Sequence, residues 1–399
     1  MKNKIIIMLF IFLLVVGCTS NKKEDKEDDS SMSELDKKVE KTLNDMTLDE
    51  KIGQMMIIYY RAASMDSTLK NALETVKPGG FILFAENMSS YDGTLKLIKE
   101  IKESAKIPMF MSIDEEGGSV QRLLKLQGKE FSNIPPMYDV GLKNDTELTY
   151  QVGKLLAEEL KVFGINMDFA PVIDVYSNPD NKVIGTRSFG TTAELVSTHG
   201  QKLASGLLDN GVIPVYKHFP GHGNTATDSH YDLPLVNKTK EELMNLDLIP
   251  FVDAIKNDAK AIMIGHLAVP SLTGDNTPAS LSKTIVTDFL KKELNYNGLI
   301  ITDALDMGAL TNYSDEEICG KAVEAGVDIL LMPKSSKKCL KSVQDAIKKG
   351  TVTEKQINES VKKILKLKYE YIEKDYNNYL DVSYLNSKEH QEIINKIKN

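Results

Sequence analysis

A chain of 399 residues with 42% hydrophobic side chains has ample material for a buried core, enough for one large barrel-sized domain plus extras or for two smaller domains. Its 49 basic and 57 acidic residues leave a net charge of −8 with no basic run beyond short lysine pairs, which argues against nucleic acid as a partner. Three cysteines with no close pair exclude a disulfide framework and a cysteine-based zinc ribbon, and they leave open whether Cys319 and Cys339 bridge.

Residues 1–17 read as an export signal. Lys2 and Lys4 lead into twelve apolar residues from Ile5 to Val16, too few to cross a hydrocarbon layer of about 30 Å, which takes roughly 20 residues. Gly17 before Cys18 resembles a bacterial lipoprotein box, which implies cleavage at that point and a lipid on the Cys18 thiol. The unbroken charged run from Lys22 to Asp29 has nothing to bury. Residues 18–33 are therefore expected to form a solvated tether that holds a domain away from a membrane.

From residue 34 the pattern becomes periodic, and Thr47 and Glu50 stand in capping-box register at a helix start. Short apolar runs then recur at 54–59, 80–84, 109–113, 165–169, 212–216, 261–264, 299–302 and 328–332. Helical patterns fall between most of them, at 94–103, 147–163, 193–208, 240–255, 285–294 and 316–325. Eight buried-type strands alternating with amphipathic helices predict an α/β fold, a single (β/α)8 TIM-type barrel over residues 34–375. An open doubly wound sheet fits less well, because no Gly-x-Gly-x-x-Gly follows the first strand. Helices at 339–349 and 354–374 close the domain, and residues 376–399 form a C-terminal tail. No C-terminal αβα sandwich domain is expected.

In such a barrel the chemistry sits where the parallel strands end. The run 217–232 packs three of the chain's six histidines and two acids into sixteen residues directly after a strand. Within it His230 lies two residues from Asp228, close enough for the carboxylate to orient the imidazole and favour its protonated form. The other strand ends carry Asp114-Glu115-Glu116-Gly117-Gly118, Asp168 with Asp174, Lys217-His218, His266 and Asp303, with Arg122 and Arg187 nearby in sequence. Acids, basic donors and histidines converge without a serine nucleophile elbow, a P-loop or a cofactor-binding glycine motif. That set suits glycoside hydrolysis with retention, in which a carboxylate attacks the sugar while a proton donor serves the leaving oxygen. Asp303, at the tip of a buried strand, is the candidate nucleophile.

The run Lys217-His218-Phe219-Pro220-Gly221-His222-Gly223 through Asp228-Ser229-His230, with Ile113-Asp114-Glu115-Glu116-Gly117-Gly118 and Val120-Gln121-Arg122, resembles glycoside hydrolase family 3 in its β-N-acetylhexosaminidase branch. The resemblance implies Asp303 as the nucleophile and His230 as the acid/base, with Asp228 as its partner. It implies that Asp114, Arg122, Arg187, Lys217 and His218 hold the hydroxyls and N-acetyl group of the terminal sugar, while His222 and Asp168 shape the loop and pocket. Two departures are Asp303-Ala304-Leu305, where many members have a second acid, and Ser119, where a basic residue is common; both bear on the aglycone side.

The expected protein is a membrane-tethered, extracytoplasmic exo-β-N-acetylglucosaminidase that trims cell-wall fragments, acts as a monomer, and uses no metal and no cofactor. Three other readings fit the residues less well. A zinc hydrolase would use His218, His222, His230 and Asp228, but Pro220 and Gly221 break the helix such a pair needs. A phosphorylase on the same fold would release sugar 1-phosphate in phosphate buffer. A non-catalytic glycan-binding lipoprotein would have a two-lobed architecture and no reason to keep Asp-x-His together with a strand-end Asp.

Overall fold

The structure, a computed structural model, describes residues 32–229 and 231–399. The expected signal, Cys18, nearly all of the tether and His230 lie outside the described residues.

An eight-stranded parallel sheet organises the chain. Its strands are β1 (Met56–Ile58), β2 (Gly80–Ile82), β3 (Phe110–Ile113), β6 (Met167–Asp168), β7 (Ile213–Phe219), β8 (Ala261–Ile264), β9 (Leu299–Thr302) and β10 (Leu330–Leu331). β10 pairs with β1. The ring is completed by the parallel bridge between Ile301 and Ile329 and by the bond from Thr302 N–H to Ile329 O at 3.0 Å. The sheet is thus a closed (β/α)8 barrel, as the alternation of strand and helix patterns predicts. Strand residues are buried throughout, because side chains pointing inward fill the barrel and those pointing outward meet helices. The two remaining strands, β4 (Glu115–Gly117) and β5 (Val120–Gln121), form a hairpin that stands on the mouth beyond β3. Its turn needs glycine: Gly117 and Gly118 have φ of 92° and 57°.

The Thr47 capping box forms as expected, with Glu50 N–H donating to Thr47 Oγ1 at 3.3 Å and Thr47 N–H to Glu50 Oε2 at 2.9 Å. Two helices differ from the periodicity. The span 240–255 is split into Lys240–Met244 and Ile249–Lys256. Asp247 between them turns inward to an ion pair of 2.6 Å with Lys238, and Pro250 begins the second helix, where its missing N–H costs nothing. The span 285–294 is wound as a π-helix, Thr284–Glu293, that buries Ile285, Val286, Phe289 and Leu290.

At the closed end of the barrel Lys368 is completely buried, with Nζ donating to Gln54 Oε1 at 2.7 Å and lying 4.9 Å from the Phe110 ring centroid. The tail packs back on the domain: helix Lys388–Lys398 buries Ile393, Ile394 and Ile397. Its buried His390 is bracketed by Glu158 at 2.9 Å and Glu159 at 3.2 Å. Cys319 and Cys339 form a disulfide. They sit in helices Ile318–Ala325 and Ser336–Lys349, each within the first four residues, so the bridge lies toward the mouth and ties together the units that follow β9 and β10.

Candidate active site

Parallel strands deliver all their C-terminal ends to one mouth, and there a cavity of about 320 Å³ is lined by Asp114, Arg122, Arg187, Lys217, His218 and Asp303. Five predicted sugar-binding residues and the predicted nucleophile therefore share one wall-to-wall space, although they span nearly 190 positions of sequence.

Five charges alternate along the cavity floor. Arg122 Nη2 lies 3.5 Å from Asp114 Oδ2. Lys217 Nζ meets Asp114 at 2.7 Å and Glu116 at 2.6 Å. Arg187 clamps Glu116 in two bonds of 2.8 Å from Nε and Nη2, the paired geometry that a guanidinium and a carboxylate favour. Burial pushes the Glu116 carboxyl up, but Arg187 and Lys217 outweigh it and hold the group well below the usual carboxylate range. Burial likewise opposes the charge on Lys217, and Asp114 and Glu116 raise its pKa in spite of it. Asp114 and Arg122 keep 19% and 31% of their side chains exposed while Glu116 keeps 2%. The first two can thus meet a ligand, whereas Glu116 holds the cations in place.

Asp303 follows β9 directly. Its backbone N–H donates to Ile264 O at 2.9 Å, and its Oδ1 accepts from Ala304 N–H at 2.8 Å. Burial alone would raise its pKa, but His218, His266, the Ala304 N–H and Lys217 together lower it. The carboxylate is therefore ionised across the neutral range, as a nucleophile requires. His266, at the end of β8, is buried and donates from Nε2 to Ala304 O at 2.9 Å while Nδ1 accepts from Ser280 at 2.7 Å. Burial lowers its pKa, which keeps it neutral. The imidazole thus fixes the peptide that follows Asp303.

The segment from His218 to Ser229 is held by Asp174, a buried acid beyond β6. Asp174 takes the His218 Nδ1–H at 2.7 Å and the His222 backbone N–H at 2.7 Å. The peptide bonds Lys217–His218 and Phe219–Pro220 are cis. Gly223 presses on the neighbouring loop: a Cβ there would stand 1.8 Å from Val175 O. Ser229 lines the cavity with Asp303, and Asp228 is half-buried beside it. The Asp228 carbonyl accepts from the N–H groups of Tyr231 and Asp232 at 3.0 and 3.1 Å.

Asp168 is completely buried and outside the cavity lining. Its Oδ1 accepts the Glu115 N–H at 2.9 Å, so it supports the hairpin rather than a ligand. Burial raises its carboxyl well above the ordinary value, with the Glu115 N–H working against it. Glu115 beneath the hairpin is pushed up to about 8 by burial. Sequence reasoning assigned no separate task to Glu116, which holds the cations, or to Asp174, which holds the 218–222 turn, and it did not single out Phe84 or Asp306, which also line the cavity. Glu116 carried a signal, since an acid inside a glycine hairpin between two basic partners needs a reason to be buried. Among the described residues no group of three or more His, Cys, Asp or Glu side chains could hold a metal ion.

Residues 47–367 match the glycosyl hydrolase family 3 N-terminal domain. The chain is 31% identical over 365 residues to a β-hexosaminidase A of Pseudoalteromonas piscicida, an alignment that covers 81% of this chain and 61% of that protein. It is 31% identical over 330 residues to the β-hexosaminidase LpqI of Mycobacterium tuberculosis, covering 80% of this chain and 82% of the relative. Among solved structures, a glycoside hydrolase family 3 β-N-acetylglucosaminidase from a Paenibacillus species superposes with a TM-score of 0.82 at 33% identity, covering 88% of this chain and 68% of that one. The chain belongs to glycoside hydrolase family 3.

Proposed function

We propose that this protein is a retaining exo-β-N-acetylglucosaminidase that removes terminal β-linked N-acetylglucosamine from cell-wall-derived glycans. The observation that carries the reading is Asp303: a rigidly held, ionised carboxylate at the base of a cavity whose other walls are paired donors and acceptors. Three cations and two anions pair on that floor, and with Asp303 and Asp306 the lining holds four carboxylates against three cations, which gives no pull on an anionic ligand and suits an uncharged sugar. The β-hexosaminidase names of the relatives point to the same class of substrate.

In the first step an Asp303 oxygen bonds to the anomeric carbon as the bond to the leaving oxygen breaks, and that oxygen takes a proton from His230. In the second, water attacks the anomeric carbon, gives a proton to His230 and releases Asp303. Asp228 orients the imidazole and stabilises its charged form. Export with a lipid on Cys18, tethered by residues 18–33, places the enzyme outside the cytoplasm among muropeptides, where it acts as a monomer. The Cys319–Cys339 bridge supports that location, because disulfides persist in oxidising compartments.

Nitrophenyl glycosides at neutral pH test the reading. N-acetylglucosaminide is expected to be cleaved and glucoside poorly. Asp303→Ala should lose nearly all activity on every substrate, whereas His230→Ala should lose far more on poor leaving groups than on activated aryl glycosides. Equal losses for His230→Ala on both substrates would remove it from the acid role.

A further inference from the structure

Two contacts converge on the residue that precedes His230, and a third lies behind one of them. The Ser229 carbonyl accepts from the Ala309 N–H at 3.1 Å, on the turn that follows the nucleophile. Its hydroxyl stands 3.3 Å from His222 Nε2, and at the other side of that ring Nδ1 stands 2.6 Å from Thr225 Oγ1. The direction of these bonds can be worked out. Thr225 has one hydroxyl proton and gives it to His222 O at 3.0 Å. Its oxygen must therefore accept the Nδ1–H, which leaves the Nε2 lone pair to receive the Ser229 O–H. The arrangement needs a neutral ring, and burial together with neighbouring His218 lowers the His222 pKa to about 4. The imidazole spans the loop from Thr225 to Ser229 as a strut.

The strut is itself anchored. Its backbone N–H is held by Asp174, and its carbonyl also accepts from Asn181 Nδ2 at 2.7 Å. Asn178 Nδ2 donates to Asn224 O at 3.2 Å. One end of the loop is thus fixed to the unit after β6 and Ser229 is fixed to the unit after β9, across the cavity mouth.

We infer that Ser229 and His222 are positioning residues for the acid/base: the Thr225–His222–Ser229 strut and the Ser229–Ala309 bond set the distance between the Asp228–His230 segment and Asp303. The inference rests on His230 being the acid/base. A retaining enzyme needs that distance fixed twice, once to protonate the leaving oxygen and once to deprotonate water. A residue of the strut therefore differs from one that only stabilises the fold, because its loss harms the steps that move a proton and spares the attack by Asp303.

The test uses the full chain with Ser229→Ala, Thr225→Val and His222→Gln, and with His230→Ala in parallel. For each, kcat/KM is measured on a dinitrophenyl N-acetylglucosaminide, whose leaving group needs no acid, and on a N-acetylglucosamine disaccharide, whose leaving group does. The strut variants are expected to lose roughly 10- to 100-fold on the disaccharide and little on the activated substrate, which also shows that they fold. On the activated substrate kcat, then limited by water's attack on the glycosyl-enzyme, should fall even though kcat/KM does not, and azide, a nucleophile that needs no base, should restore it and yield the glycosyl azide. Equal losses on both substrates, or none on either, in Ser229→Ala and Thr225→Val while His230→Ala discriminates would overturn the inference and leave the proposed function standing. A His230→Ala enzyme that does not discriminate would overturn the acid assignment and this inference together.

Discussion

Glu116 is the place where the barrel's electrostatics can be tested with one substitution. It is buried, accepts two bonds of 2.8 Å from Arg187, and meets Lys217 at 2.6 Å. In Glu116→Ala the Arg187 guanidinium loses its carboxylate, while Lys217 keeps only Asp114. Breaking a buried pair by removing one partner costs about 3–5 kcal/mol, chiefly because the surviving charge is left uncompensated. For a domain of this size a kcal/mol corresponds to roughly 1–2 °C in Tm, so a fall of about 3–10 °C is expected by calorimetry. Glu116→Gln keeps the shape and isolates the charge. Because the folded-state pKa of Glu116 is depressed, its contribution is fully present above the ordinary value near 4.5 and fades as pH falls below it. The Tm gap between wild type and Glu116→Gln should therefore be constant through neutral pH and narrow in acid. KM for the sugar should rise in both variants, since Arg187 and Lys217 lose the group that aims them. A Glu116→Ala protein that melts within about 1 °C of wild type, or a pH-independent gap for Glu116→Gln, would refute the reasoning.

Reduction of the Cys319–Cys339 bridge, which closes a sequence separation of 20, should cost about 3 kcal/mol by loop entropy, read as a Tm that falls with dithiothreitol in wild type but not in Cys319→Ser. His390 is disfavoured as a cation by burial, yet Glu159 and Glu158 raise its pKa above the ordinary 6.5. The docking it provides is fully present below that pH and is lost as pH rises through the raised value, so amide exchange in 388–398 should speed up in alkali beyond the chemical rate, and His390→Phe should abolish that extra dependence. Asp168, raised well above 3.8 chiefly by burial, favours the fold when protonated and less as pH climbs through its folded-state value. Asp168→Asn should accordingly gain Tm over wild type at pH 7 and show no gain in strong acid; a loss at pH 7 would mean that the carboxylate is needed as an anion.

The barrel was legible because a strand buried on both faces must be apolar along its whole length, and runs such as Leu299-Ile300-Ile301 stand out between amphipathic helices. Asp303 was legible for a related reason: a charge at the end of such a run is held rigidly beside the mouth. The 217–230 motif drew attention through its density of titratable groups, and the structure brings Lys217, His218, His222 and Ser229 of it to the cavity. What escaped depends on partners distant in sequence. Asp247 reads as one more acid on a helix until Lys238 is seen to draw it inward and break the helix in two. Asp174 looks like a loop carboxylate, and only the approach of His218 and His222 gives it the task of holding a histidine and a turn together. The pairing of Cys319 with Cys339 depends on two helices lying side by side, which no local pattern encodes.

Under the proposed mechanism the site divides its labour according to rigidity. Asp303 must stay fixed, since a nucleophile that drifts loses orbital alignment, and it is placed at the end of a strand with its peptide secured by Ile264 and His266. The sugar-binding charges must stay fixed too, and they achieve this by pairing among themselves, so that an empty cavity leaves no cation without an anion. A proton carrier has a different requirement, because it serves a leaving oxygen in one step and a water in the next. Placing it on a Gly-containing loop allows small adjustment between the two, and bracing that loop from the units after β6 and β9 keeps the adjustment small. On this argument the two functions separate under mutation: changes to the strand-borne groups should lower the rate for every substrate, while changes to the loop's braces should be felt in proportion to how badly the leaving group needs a proton.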